Sequence, residues 1–126
     1  MKKLLLVLSV IAMLSLLAAP ALAAGEMTCE HSGATMDPLH AIASLHHCVM
    51  HAYDTGHVTN AGVAHSLMAK LDAAQAAFDR GHTDVAINLL NAFVNEVKAQ
   101  SGKFIVADHA GHLVMHAQMV IMVLGG

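Results

Sequence analysis

Aromatic residues are scarce in this sequence. Its 126 residues include no tryptophan, one tyrosine and three phenylalanines. Sites that stack sugars or nucleobases usually rely on exposed aromatic rings. The composition therefore argues against such a binding platform and predicts a core made of aliphatic side chains.

Positive charge is also scarce, and part of it belongs to the amino terminus. Lys2 and Lys3 precede an apolar run from Leu4 to Ala19 and the small residues of Pro20-Ala21-Leu22-Ala23. This order is typical of a secretory signal peptide, which we assign to residues 1–23. A retained membrane anchor is disfavoured because the apolar run is shorter than the roughly 20 residues that a span needs. We expect an exported protein, periplasmic or extracellular, with no stable membrane span after cleavage.

Removal of the two lysines leaves four basic and nine acidic side chains, a formal charge of −5 with neutral histidines. Nucleic-acid-binding proteins present a basic patch or stripe to the phosphates. No such patch can form here, so nucleic acid is excluded as a partner.

The sequence also lacks the usual catalytic motifs. It contains no Gly-x-Ser-x-Gly, no glycine-rich phosphate loop and no His-Glu-x-x-His. A Cys-x-x-Cys-His sequence for covalent haem attachment is missing too. We therefore expect a protein that is not an enzyme and that binds neither haem nor a nucleotide.

The remaining chain reads as one helical domain, residues 37–126, behind an extended lead-in, residues 24–36. Asp37-Pro38 is a helix start, and the first helix should end near Asp54. Thr59 or Asn60 should open a second helix, and a last helix should run from near Val106–Asp108 to Leu124. Four helices joined by short loops predict an all-α fold, a compact bundle built around a central helical hairpin.

The hairpin, residues 65–102, shows helical apolar spacing in both of its arms. Gly81 should supply the left-handed residue that ends the first arm, and Gly102 should end the second in the same way. Thr83 is expected to accept a hydrogen bond from the amides that open the second arm.

Apolar stripes on the flanking helices predict their buried faces. The predicted set is Ile42, Leu45, Val49, Ala52 and Tyr53 in the first helix, and Val106, Ala110, Leu113, Ala117, Val120 and Leu124 in the last.

The amino-acid sequence in and just before the hairpin is distinctive. It contains Asn-Ala-Gly-Val-Ala-His-Ser-Leu-Met-Ala-Lys-Leu-Asp-Ala-Ala, then Asp-Arg-Gly-His-Thr-Asp-Val-Ala-Ile-Asn-Leu-Leu-Asn-Ala-Phe-Val-Asn-Glu-Val-Lys. It resembles the FIMAH domain, a small all-helical module of secreted bacterial proteins, over about Ile42 to Leu124. The resemblance implies a helical bundle with an accessory, non-catalytic role, and it supplies no catalytic residues. This chain departs from it by carrying histidines at positions 65, 82, 109, 112 and 116, where we expect Asn, Ala or similar residues.

Histidine and methionine are unusually frequent. All eleven histidines and seven methionines follow the predicted signal peptide. Neutral imidazole is a common ligand for zinc and copper, and thioether or thiolate sulfur suits cuprous copper. A metal site is therefore the leading chemical hypothesis, with copper or zinc as the ion.

Two histidine faces are candidates for that site. Residues four apart share one helix face, so His47 and His51 can approach one ion, with His40 on the same side. His112 and His116 repeat this spacing, and His109 precedes them by one turn, on the border of the buried stripe. Met115, Met119 and Met122 form a possible thioether patch on another side of the last helix.

The plainer interpretation of these residues is structural. Histidines on a polar face can simply be solvated and can charge as the pH falls through about 6.5. We expect that of His31, His57 and His82. Methionine at helical spacing is more often core filler than ligand, as expected for Met68.

Cys29 and Cys48 are the only cysteines. In an exported chain a disulfide between them is the default, worth about 3 kcal/mol in the loop-entropy model. The alternative is a mixed metal site of both thiolates with His31, His47 or His51.

The leading functional hypothesis is an exported, non-catalytic binding protein that binds or buffers copper or zinc. The alternative is a protein-interaction or surface-attachment module that docks another exported or surface protein. In that case the histidines are incidental or tune docking with pH.

Overall fold

The structure is a computed structural model that describes Cys29 and residues 37–126. The predicted signal peptide and the rest of the lead-in, including His31, lie outside the described residues. The helices are α1 (Pro38–Asp54), α2 (Ala61–Asp79), α3 (Thr83–Gln100) and α4 (Ala107–Val123). In this part of the chain the only β-type pairing is two isolated bridges. The predicted all-α fold is confirmed.

Side-chain caps open the first two helices where the sequence predicts them. Asp37 caps α1 by accepting a hydrogen bond from the Leu39 amide at 3.0 Å, and Asn60 caps α2 by accepting one from the Val63 amide at 3.0 Å. The bond from Leu39, with a second contact to His40, lowers the pKa of the Asp37 carboxyl below its usual value. These caps fix where the chain enters each helix.

Glycines in the left-handed region end α1 and α2. Gly56 and Gly81 both have a φ of 78°. After α1, the Gly56 amide donates to the Tyr53 carbonyl at 3.1 Å and the His57 amide to the Ala52 carbonyl at 2.8 Å. These two hydrogen bonds form a Schellman motif. The motif needs a left-handed backbone conformation at position 56, which glycine adopts without a steric penalty because it has no Cβ. It fixes the backbone of His57 directly beyond the end of α1.

Each helix packs against two others, which closes the bundle. The helix pairs in contact are α1 with α2, α2 with α3, α3 with α4, and α4 with α1. Their apolar stripes meet in one aliphatic core with a single large aromatic ring. Its largest fully buried side chains are Phe93, Ile42, Leu45, Leu67, Leu71, Leu90, Ile105, Val49, Val58, Val97 and Val120. Closure of the bundle makes α1 and α4 neighbours, although they are the first and last helices of the chain.

The loop after α1 and the loop before α4 pair with each other. Val58 and Ile105 form an antiparallel bridge, and both side chains are buried. On either side of the bridge, the Val106 amide donates to the His57 carbonyl at 2.9 Å and the Thr59 amide to the Phe104 carbonyl at 2.8 Å. This pairing places His57 beside the first turn of α4.

Three sequence predictions about local structure are wrong. Thr83 does not cap α3: it is the first helical residue, and His82 occupies the cap position without a side-chain bond. Tyr53 and Val106 are exposed rather than buried. Tyr53 lies in the last turn of α1, and Val106 precedes α4 with extended backbone angles, so helical periodicity does not govern its side chain.

An ion pair joins the two helices of the hairpin. Nζ of Lys70 in α2 lies 2.6 Å from Oε2 of Glu96 in α3. The Ser66 hydroxyl donates to the same oxygen at 3.0 Å. Both charged side chains are partly buried, so screening by water is reduced relative to a surface pair. These contacts set the register of the hairpin.

Cys29 and Cys48 form a disulfide, with their Cα atoms 5.7 Å apart. The predicted bridge is therefore present, and it ties the lead-in to α1. Because both sulfurs are engaged, the alternative of a thiolate metal site does not apply to this structure.

None of the described helices is both long and apolar enough to cross a bilayer.

Candidate metal centre

Four imidazoles gather where α1 ends and α4 begins. We call His51, His57, His109 and His112 the histidine cluster. His51 lies in the last turn of α1, His57 in the loop that follows, and His109 and His112 in the first two turns of α4. The cluster depends on the closure of the bundle and on the Val58–Ile105 bridge, because its members come from three separate segments.

Ring contacts define the centre of the histidine cluster. The rings of His57 and His109 stack with centroids 3.9 Å apart and an angle of 13° between their planes. The ring of His112 lies 6.2 Å from that of His109, at 47°. His109 therefore has one imidazole on its face and a second one turn further along α4.

The pKa of His109 is lowered from its usual value. The largest cause is partial burial, which disfavours the charged ring, followed by the charges of His57, His112 and His51. These causes also show that all four imidazoles are close enough to interact. Its surroundings therefore favour the neutral ring of His109, which is the form that binds a metal ion.

The structure divides the predicted face of α1. His51 belongs to the histidine cluster, whereas His40 lies at the other end of the helix, about 16 Å along the axis for eleven residues at 1.5 Å each. The ring of His40 is 3.1 Å from the Asp37 carboxylate. His47 is partly buried one turn before His51, and its charge is not among those that act on His109.

The structure also divides the predicted stripe of α4. His109 and His112 belong to the histidine cluster, but His116 is only 5% exposed and lies within the packed face of the helix. The prediction that His116 lies on the border of that face is wrong. The buried stripe of α4 includes Leu113, Ala117 and Val120. His116 is three residues after Leu113 and four before Val120, so its side chain lies on the same face as theirs.

The three methionines of α4 follow His112 along the helix. Met115 and Met122 are exposed, and Met119 is partly buried. Met68 packs against the core, as predicted.

Another histidine forms a separate pair. His46 of α1 lies 3.3 Å from a carboxylate oxygen of Asp72 on α2, beside a groove between the two helices. One imidazole and one carboxylate are fewer than the three protein ligands that a zinc site usually has. We therefore place the candidate centre at the histidine cluster.

The cluster has the right donor chemistry, but its rings have not converged on one point. Among the described residues, no three His, Cys, Asp or Glu side chains stand in a ready-made metal arrangement. Zinc–nitrogen bonds of about 2.0–2.1 Å in tetrahedral geometry bring ligand nitrogens about 3.3 Å apart. The rings of His57 and His109 stack nearly parallel, and the lone pair of each ring nitrogen lies in its ring plane, so both rings would have to turn before they could share one ion. His51 and His112 are exposed. Binding of one ion at the cluster would therefore require these side chains to rotate.

Sequence reasoning missed His57, which we expected to be a solvated residue. The structure shows it partly buried against His109. One local signal indicated that His57 is held in place. Thr55-Gly56-His57 follows the end of α1, and when a glycine ends a helix, the backbone amide of the residue after it commonly bonds to the last turn. What the sequence did not reveal was the partner loop at Ile105.

Comparison with known families gives one result. The model of the FIMAH domain family matches residues 42–122. Searches of curated proteins and of solved structures found no significant match. The chain therefore belongs to the FIMAH domain family, in agreement with the resemblance in its hairpin.

Proposed function

We propose that this member of the FIMAH family is an exported, non-catalytic protein that binds or buffers a transition-metal ion, copper or zinc, at the histidine cluster. The observation that carries the proposal is the proximity of four imidazoles from α1, the following loop and α4. They come from two distant stretches of the sequence, residues 51–57 and 109–112. A chance excess of histidine would spread over the surface rather than collect at one end of the bundle.

The chemistry of the cluster supports this role. Its donors are ring nitrogens, which suit zinc and copper. The formal charge of −5 after removal of the signal peptide also favours a cationic ligand. Export is supported by the sequence of residues 1–23 and by the disulfide, a bond that persists in oxidising compartments.

Calorimetric titration with Zn(II), Cu(II) and Cu(I) tests the proposal on the protein isolated as its host exports it. We expect at least one ion to bind more tightly than about 1 µM, some −8 kcal/mol. Replacement of His109 and His112 together by Asn should weaken binding about tenfold or more, a loss of about 1.4 kcal/mol. Replacement of His65 and His82, both exposed on the hairpin, is the matched control and should leave the affinity unchanged.

Failure of all three ions to bind below about 1 µM would overturn the proposal. Equal losses in the two double variants would place the ions on scattered surface histidines rather than in the cluster.

A second candidate function is a protein-interaction or surface-attachment module. It is favoured by three large side chains, Tyr53, Phe104 and Val106, that are exposed at the cluster end of the bundle. A contiguous exposed apolar patch marks a contact site, whereas single exposed apolar residues are common on any surface. The absence of metal binding together with capture of an exported partner that requires Phe104 would favour this function.

A further inference from the structure

Thr55 links two members of the histidine cluster. Its hydroxyl oxygen lies 2.7 Å from the His51 carbonyl oxygen and 2.8 Å from Nδ1 of His57. A third, longer contact of 3.5 Å reaches the Ala52 carbonyl. Thr55 is the residue between the end of α1 and Gly56, so the Schellman motif fixes its backbone as well.

The positions of the hydrogens follow from the chemistry of these groups. A hydroxyl has one hydrogen to donate, and a carbonyl oxygen can only accept. The hydroxyl hydrogen of Thr55 therefore points to the His51 carbonyl, with the Ala52 carbonyl as a distant second acceptor. The contact with His57 must then run the other way, with Nδ1–H of the ring as donor and the threonine oxygen as acceptor.

From this arrangement we infer that Thr55 is a positioning residue, which holds His57 in the tautomer that offers Nε2 to a divalent metal ion such as Zn(II). The inference rests on the proposed function and specifies its geometry. A neutral imidazole with hydrogen on Nδ1 has its lone pair on Nε2. Metal-binding histidines commonly donate their other ring N–H to an oxygen, which fixes both tautomer and orientation.

The same residue also restrains the ring in space. Nδ1 of His57 is held by Thr55, and one face of the ring lies on His109. Both contacts restrict rotation of the ring, and the stacking on His109 would have to loosen for both rings to bind one ion. The donor set contains nitrogen and no sulfur, which favours Zn(II) over the softer Cu(I).

Nitrogen-15 NMR of the imidazoles tests the tautomer without any metal. At about pH 8, where an ordinary histidine is neutral, His57 should show hydrogen on Nδ1 in the unaltered protein. Thr55→Val removes the hydroxyl at nearly constant volume and should abolish that preference, while Thr55→Ser should retain it. Hydrogen on Nε2 of His57 in the unaltered protein would overturn the inference.

Zinc affinity, measured by competition with a coloured chelator, tests the consequence. Thr55→Val should weaken Zn(II) binding about 10- to 100-fold, the usual effect of losing a group that orients a ligand. Thr55→Ser should restore it. Thr59→Val is the matched control, since the Thr59 hydroxyl also donates to a carbonyl, that of Phe104 at 3.3 Å, but contacts no imidazole. Thermal unfolding of each variant shows whether the fold is retained.

The outcomes separate the two proposals. If the unaltered protein binds Zn(II) and Thr55→Val binds it equally well, the inference fails and the proposed function stands. An equal loss in the Thr55→Val and Thr59→Val variants would mean that the loop, not the tautomer, matters, and would also overturn the inference. If the unaltered protein binds no metal, the proposed function fails and this inference fails with it.

Discussion

The central hairpin, α2 and α3, differs from the outer pair, α1 and α4, in where it places its polar residues. The hairpin carries two histidines, His65 and His82, both exposed, and the partly buried charges of Lys70 and Glu96 form an ion pair. The outer helices carry most of the other histidines and, with the loop after α1, form the histidine cluster. The family match spans both regions. The histidine cluster therefore lies on helices that belong to the matched domain and not on an added segment.

The largest expected effect concerns the core of the hairpin. Phe93→Ala should lower the free energy of unfolding by about 3–5 kcal/mol, because Phe93 is fully buried and its removal leaves a cavity. Urea denaturation measures the loss. Val85→Ala, at an exposed position of the same helix, should change stability by less than about 0.5 kcal/mol. A loss below about 1 kcal/mol at Phe93 would contradict the assignment of the hairpin as the structural centre.

Loss of the disulfide should have the next largest effect. Cys29→Ser opens a bridge between residues 19 positions apart and should cost about 3 kcal/mol of stability in the loop-entropy model. Zinc affinity of the folded variant should not change, because the cluster contains no sulfur. A large loss of affinity with unchanged stability would instead support a mixed thiolate and imidazole site.

His116 distinguishes the packed face of α4 from the end that carries the histidine cluster. His116→Ala should cost about 2 kcal/mol of stability, because it removes a buried side chain. The affinity of the folded protein for Zn(II) should stay the same. Denaturation and chelator competition on the same sample measure both quantities. Weaker Zn(II) binding with full stability would return His116 to the ligand set.

The fold was largely predictable because its signals are local. Apolar spacing located all four helices, and Asp37, Asn60 and Gly81 marked helix boundaries through bonds that span only a few residues. The helical periodicity of α4 also places His116 on the buried face. The prediction for His116 failed because it followed the residue type and not the position on the helix. The His57–His109 contact was not predictable from local pattern. It depends on two loops that meet across about 45 residues of sequence, through the buried Val58 and Ile105.

The smallest expected effect is the dependence of stability on pH. The pKa of His109 is lowered in the folded protein, so between that value and about 6.5 the unfolded chain binds more protons than the folded one. Stability contributed by this residue is therefore present at pH values above this window and is lost as the pH falls through it. Urea denaturation across this range should show the decrease, and His109→Asn should reduce it. An increase in stability on acidification that depends on His109 would contradict the burial of its ring.

The central proposal is that one metal site spans the outer helices, and an NMR titration of the purified protein with Zn(II) tests it most directly. The ring signals of His51, His57, His109 and His112 should change together and stop changing after one equivalent, while those of His40, His65 and His82 remain as they were. Changes spread evenly over all histidines, or none at all, would contradict the claim.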